Sequence, residues 1–158
     1  ETLAQKIKEA GGDAHIFVED LSLPNSGMKL YDQITSAGLS IDILINNAGF
    51  IGHMGPLTLE HAQQTEETIR INLDAPMHLT AAFLSATRSW SIPKKIVNIS
   101  SGLARRAMAG SAMYCASKAG LDHYSRCVAL DEALQANGAK IVSLGRRRGG
   151  GPGPTQGP

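Results

Sequence analysis

Three short apolar runs, Ile41 to Ile45 (IDILI), Lys95 to Ile99 (KIVNI) and Lys140 to Leu144 (KIVSL), punctuate long stretches of helical periodicity. Gaps of that length exclude hairpins between successive runs and require helical crossovers, which lay the strands parallel. IDILI is apolar almost throughout, as suits a parallel strand covered on both faces. The expected class is α/β, a doubly wound parallel sheet with helices on both faces. Ligands of such sheets sit beyond the carboxyl ends of the strands. Polar clusters fall at those ends, at Asp20, Asn46 to Gly49, and Ser100-Ser101.

The remaining elements follow from periodicity and breakers. Glu1 to Ala10 reads as a helix stopped by Gly11-Gly12, Ala14 to Glu19 (AHIFVE) as a strand, and Pro24-Asn25 as a turn before a helix from about Gly27 to Ala37. A long helix is expected over Leu59 to Arg88, with Pro76 marking a kink or break. Another spans about Ser111 to Asn137 and is closed by Gly138.

A chain of 158 residues is the size of one domain. Its apolar runs fall short of the roughly 18 residues that a membrane-spanning helix requires, and it opens without a basic-then-apolar signal, so a cytoplasmic protein is expected. Net charge is +1, and Arg146, Arg147 and Arg148 more than account for it. The rest of the chain is slightly acidic, without the charge signature of nucleic-acid binding. Cys115 and Cys127 fall on one expected helix more than three turns apart, too far to bridge, and read as plain thiols. The histidines, His15, His53, His61, His78 and His123, form no metal-ligand spacing and are assigned to surface or packing.

Tyr114-Cys-Ala-Ser-Lys118 places a phenol and an ammonium on one face of a helix. Free tyrosine titrates near 10, and a cation alongside stabilises the phenolate, so such a pair suits proton transfer at an oxygen. The spacing by itself is equally that of a packed ring beside a solvated lysine. Asn46 to Gly49 can be a plain turn, Ser100-Ser101 a cap, and Asn72 an ordinary amide.

Taken together, Asn47-Ala48-Gly49, Asn72, Ser101, Tyr114 and Lys118 resemble the short-chain dehydrogenase/reductase family, in which a strand ends in N-N-A-G and a serine precedes Y-x-x-x-K by about a dozen residues. The stretches LINNAG, NISSG, YCASKAGLD and RCVALDE are most similar to its sepiapterin and benzil reductase branch, and the resemblance covers residues 1 to 144. It implies reduction of a ketone or vicinal dicarbonyl. Tyr114 would protonate the carbonyl oxygen, Ser101 would polarise it, and Lys118 would lower the phenol's pKa and bind the nicotinamide ribose. Asn72 would hold a water in a proton relay. Asn47, Ala48 and Gly49 would lie along the cofactor, and Asp20-Leu21 would contact its adenine. The implied cofactor is NADP or NAD, with NADP favoured by the resemblance. The implied partners are a small carbonyl substrate and further copies of the chain, in a homodimer or homotetramer, with neither nucleic acid nor membrane.

Two departures stand out. The sequence has no T-G-x-x-x-G-x-G loop to cradle a pyrophosphate, and by the family's order it starts in the helix before the third strand. Residues 1 to 144 are therefore expected to form a partial dinucleotide-binding domain that lacks two strands, folds poorly and is inactive alone. After Leu144, where the family continues with a Pro-Gly segment, the chain reads GRRRGGGPGPTQGP. Residues 145 to 158 are expected to be a disordered tail, consistent with a frame slip, a genuine basic tail being the rival. A non-catalytic homologue serving as an interaction module is the alternative to a reductase.

Overall fold

The computed structural model describes residues 2–85, 94–131 and 138–145. Glu1, the expected helix ends at Arg88 and Asn137, and the tail beyond Gly145 lie outside them. In chain order the elements are α1 (Leu3–Glu9), α2 (Ser26–Ser36), β1 (Ile43–Asn46), a 3-10 turn (Leu59–His61), α3 (Ala62–Ile69), a π turn (Arg70–Asp74) and α4 (Ala75–Ser85). Then follow β2 (Lys95–Ile99), a second 3-10 turn (Gly102–Ala104), α5 (Ala112–Ala129) and β3 (Lys140–Leu144). No helix among the described residues is long and apolar enough to cross a membrane.

The strands form one parallel sheet in the order β1-β2-β3. Their registers pair Asn46 with Asn98 and Ile99 with Leu144, so all three carboxyl ends open at one edge of the sheet. At the opposite edge the buried Lys94 donates to the Ile41 carbonyl at 2.7 Å and to Asp42 at 2.6 Å, tying the starts of β1 and β2 together.

Alternation along the strands decides which face is covered. Ile96 and Ile141 point into a core with Tyr31 of α2, Leu79 and Phe83 of α4, and Ala139. The alternate residues Ile43, Ile45, Val142 and Leu144 are each about half exposed. Helices were expected on both faces; those described cover one.

Residues 14–19 are not a strand. Ile16 and Val18 are 71% and 83% exposed, and no strand among the described residues lies beside them. A β-strand is stabilised by its ladder, so a β-prone run without a neighbour has nothing to pair with. The long helix expected from Leu59 is three phases rather than one kinked rod. Pro76 has no N–H to give the Asn72 carbonyl, and the turn ahead of it widens, so that the Ala75 N–H bonds back to the Arg70 carbonyl. α1 stops where Gly11-Gly12 predicts, with the Gly12 N–H on the Ile7 carbonyl at 2.9 Å. α5 runs from Ala112 to Ala129.

Candidate active site

Four segments converge beyond the carboxyl ends of β1 and β2: the turn after β1, the π turn, the residues after β2, and the first half of α5. Their meeting point is Lys118, only 3% exposed. Its ammonium donates to the Ile99 carbonyl at 2.9 Å, and its own carbonyl accepts from Ser100 Oγ at 3.4 Å. The lysine is thus fastened to the end of β2 through both side chain and backbone. Burial holds its pKa below the ordinary lysine value. Tyr114 lies one turn earlier on α5, with the Lys118 ammonium 6.0 Å from its ring centroid.

Gly49 borders this lysine. A methyl group at its Cα would stand 3.6 Å from Lys118 Nζ and 3.7 Å from Asn72 Oδ1, so the bare glycine leaves open the space that both polar atoms face. Asn72 is fully buried and its side chain is already engaged. Oδ1 accepts the Phe50 N–H at 2.8 Å, while Nδ2 donates to the Phe50 carbonyl at 2.7 Å and to Ser117 Oγ at 3.0 Å. The π turn therefore aims Asn72 at the main chain that follows Gly49.

Ser101 caps the 3-10 turn after β2, its Oγ accepting the Leu103 N–H at 3.2 Å. As an acceptor in that bond the hydroxyl keeps its proton for a second partner. Asn47 and Ala48 line a pocket of about 150 Å³ with Leu21, Leu30, Ile45, Asn46, Ile71 and Pro76. Leu21 is thus brought to the turn after β1. Asp20 is not: it is exposed and accepts from the Ser22 hydroxyl at 2.7 Å and the Ser22 N–H at 2.9 Å. Those bonds, the hydroxyl's first, hold its carboxyl below the usual range.

Sequence reasoning missed a buried polar bridge under the site. Asn46 Nδ2 donates to Asn98 Oδ1 at 2.7 Å, Asn98 Nδ2 to Ser125 Oγ at 2.9 Å, and Ser125 Oγ to the Leu121 carbonyl at 2.7 Å. The chain of bonds ties β1, β2 and α5 together directly below the catalytic candidates. Its signal was present as Leu121 and Ser125 at helical spacing, and as Asn98 amid an apolar strand. The loops of residues 50–57 and 103–112 also meet, the Gly55 N–H bonding the Gly110 carbonyl at 2.9 Å. A side chain at Gly110 would press on the Gly55 backbone at 3.1 Å. His53 and His61 stack with ring centroids 3.4 Å apart. Cys115 and Cys127 are both free.

Comparison with known proteins places this arrangement. The profile of the short chain dehydrogenase family matches residues 1–145. The chain is 34% identical over 123 residues to a benzil reductase, (S)-benzoin forming, of Bacillus cereus, covering 78% of this chain and 49% of that protein. Among solved structures, a metagenomic short-chain oxidoreductase in complex with NADP superposes with a TM-score of 0.79 at 30% identity, over 92% of this chain and 63% of that one. A 4-hydroxyisoleucine dehydrogenase complexed with NADH and succinate gives 0.72 at 28%, over 81% and 59%. The chain spans about half the length of the curated relatives it matches. With the family profile matched over nearly its whole length and the lysine, asparagine and N-N-A-G turn assembled at one edge of a parallel sheet, the chain belongs to the short-chain dehydrogenase/reductase family.

Proposed function

We propose that this chain carries the carbonyl-reducing centre of an NAD(P)H-dependent reductase acting on a ketone or vicinal dicarbonyl. The observation that carries the reading is the buried Lys118 ammonium, fixed on Ile99 and bordered by the open space at Gly49. A buried cation beside a phenol on one helix face is costly unless the charge has work to do.

The residues present suit two parts of a nicotinamide dinucleotide. The mostly apolar pocket at Leu21, Asn47 and Ala48 suits a flat adenine, and the gap over Gly49 suits a ribose placed against Lys118. When bound, the reduced nicotinamide supplies a hydride to the carbonyl carbon. Tyr114 gives the hydroxyl proton to the carbonyl oxygen, and Ser101 donates a hydrogen bond to the same oxygen. Lys118 stabilises the phenolate left on Tyr114, and a water held at Asn72 links the lysine to solvent. The apolar residues Ile51, Met54, Leu57 and Met108, exposed on the two joined loops, suit an apolar substrate such as an aryl diketone. A dimer or tetramer through α4 and α5, a cytoplasmic location and NADP as the preferred cofactor complete the reading.

The sequence contains no glycine-rich phosphate loop, so the 158-residue chain alone is expected to show no turnover and no tight cofactor binding. A micromolar cofactor affinity measured by titration would overturn that. Resequencing beyond Leu144 addresses the tail: an in-frame Pro-Gly continuation supports a frame slip, and a verified RRRGGG removes it. In a protein that carries a glycine-rich phosphate loop ahead of these residues, oxidation of reduced nicotinamide by a vicinal dicarbonyl should be measurable. Tyr114→Phe should cut kcat by about 10²–10⁴-fold, and full activity in that variant would refute the mechanism. The second reading, a non-catalytic interaction module, is favoured by the half-exposed face of the sheet, and loss of that turnover altogether would favour it.

A further inference from the structure

Asp122 is the carboxylate of α5, and the chemistry above makes no use of it. It follows Tyr114 and Lys118 at the next i+4 step, so the three share one stripe of the helix. It is only 5% exposed, and a carboxylate so placed needs a partner. The partner is Arg105, whose Nε and Nη2 both lie 3.5 Å from Asp122 Oδ2.

Arg105 ends the 3-10 turn that Ser101 begins. Ser101 Oγ accepts the Leu103 N–H, the Ala104 N–H bonds the Ser101 carbonyl at 3.1 Å, and the Arg105 N–H bonds the Gly102 carbonyl at 3.3 Å. One end of this short turn carries the serine hydroxyl, and the other is strapped to the helix that carries the tyrosine and lysine. We propose that Arg105 and Asp122 are a positioning pair that fixes Ser101 relative to Tyr114. The Arg105 side chain is 57% exposed and both its nitrogens share one oxygen at long range, a geometry that adds little to global stability. What it sets is the place of a turn. Catalysis by two hydroxyls converging on one oxygen depends on that placement far more steeply than folding does.

The inference rests on the reductase reading, and its test has an arm that does not. Hydrogen exchange should be compared for wild type, Arg105→Gln and Asp122→Asn. The Leu103 and Ala104 amides should exchange up to about fivefold faster in both variants, as expected for losing a surface-side ion pair, while the β2–β3 ladder keeps its protection. Unchanged exchange at Leu103 and Ala104, or an equal rise throughout the sheet, would overturn the strap. In the active protein, Arg105→Gln should lower kcat for a dicarbonyl by about tenfold or more with the KM for reduced nicotinamide unchanged, and Arg105→Lys should recover part of the loss. A kcat equal to wild type in Arg105→Gln would refute the positioning role. Absence of turnover in the wild type would instead remove the reductase reading and leave the exchange comparison to decide the strap.

Discussion

The Lys118 ammonium sits 2.9 Å from the Ile99 carbonyl, so the cation of the catalytic candidate set is held by the last residue of a strand rather than by solvent. A sheet end is among the least mobile places a side chain can be anchored, and here it fixes where positive charge stands relative to Tyr114 and Gly49.

Burial lowers the pKa of Lys118, and that has a consequence for stability with pH. Below the folded-state value both folded and unfolded chains carry the proton, and the burial penalty is constant. Between that value and the ordinary one near 10.4, the folded chain releases a proton that the unfolded chain keeps, so stability rises with pH. Denaturant midpoints of wild type should therefore gain on those of Lys118→Met as pH approaches about 10. A difference that does not change with pH would show the ammonium to be as well solvated as in the unfolded chain.

Asn72 satisfies both main-chain groups of Phe50 and the hydroxyl of Ser117. Asn72→Ala leaves these groups without their partner and should cost about 2–4 kcal/mol by urea denaturation. Asn72→Asp should be no milder, because a carboxylate cannot donate to the Phe50 carbonyl.

Asn98 and Ser125 belong to one buried chain of hydrogen bonds, and their effects should not add. A double-mutant cycle of Asn98→Ala and Ser125→Ala should give a coupling of about 0.5–3 kcal/mol. Additivity within a few tenths would show the bridge to be broken in solution.

Gly49 leaves ordinary contact distance, not a clash, for one added carbon. In the active protein, Gly49→Ala should keep its thermal midpoint close to wild type while weakening cofactor binding, with Gly49→Val weaker still. Equal cofactor affinity in all three would detach this gap from the cofactor.

Much of the architecture could be read in the chain because it rests on features that local chemistry enforces. The runs IDILI, KIVNI and KIVSL became β1, β2 and β3, and Gly11-Gly12 ended α1, since β-branched runs and glycine stops leave few alternatives. AHIFVE has equally good strand chemistry and did not form a strand, because pairing is decided by what lies alongside. At the site, Asn72, Lys118 and the turn through Gly49 were foreseen and are adjacent, whereas Asp20 turned back onto Ser22. Ser117, Asn98 and Ser125 were overlooked because small polar residues do not disturb an apolar pattern. Only packing shows that all three are buried, with Asn98 bonded to Ser125 and Ser117 to Asn72. The two-residue relation of Arg105 to Asp122 was equally hidden, since they stand seventeen positions apart on different elements.

The π turn over Arg70–Asp74 amounts to a helix carrying one residue more than its α register would hold. The segments on either side are therefore phased separately: α3 is set by its own contacts, and α4 by Leu79 and Phe83 in the core. Deleting any one residue within the turn would rotate α4 by about 100° relative to α3. Leu79 and Phe83 would then swing out of the core, or Asn72 away from Phe50. That single surplus residue lets two helices joined end to end serve both the sheet and the site.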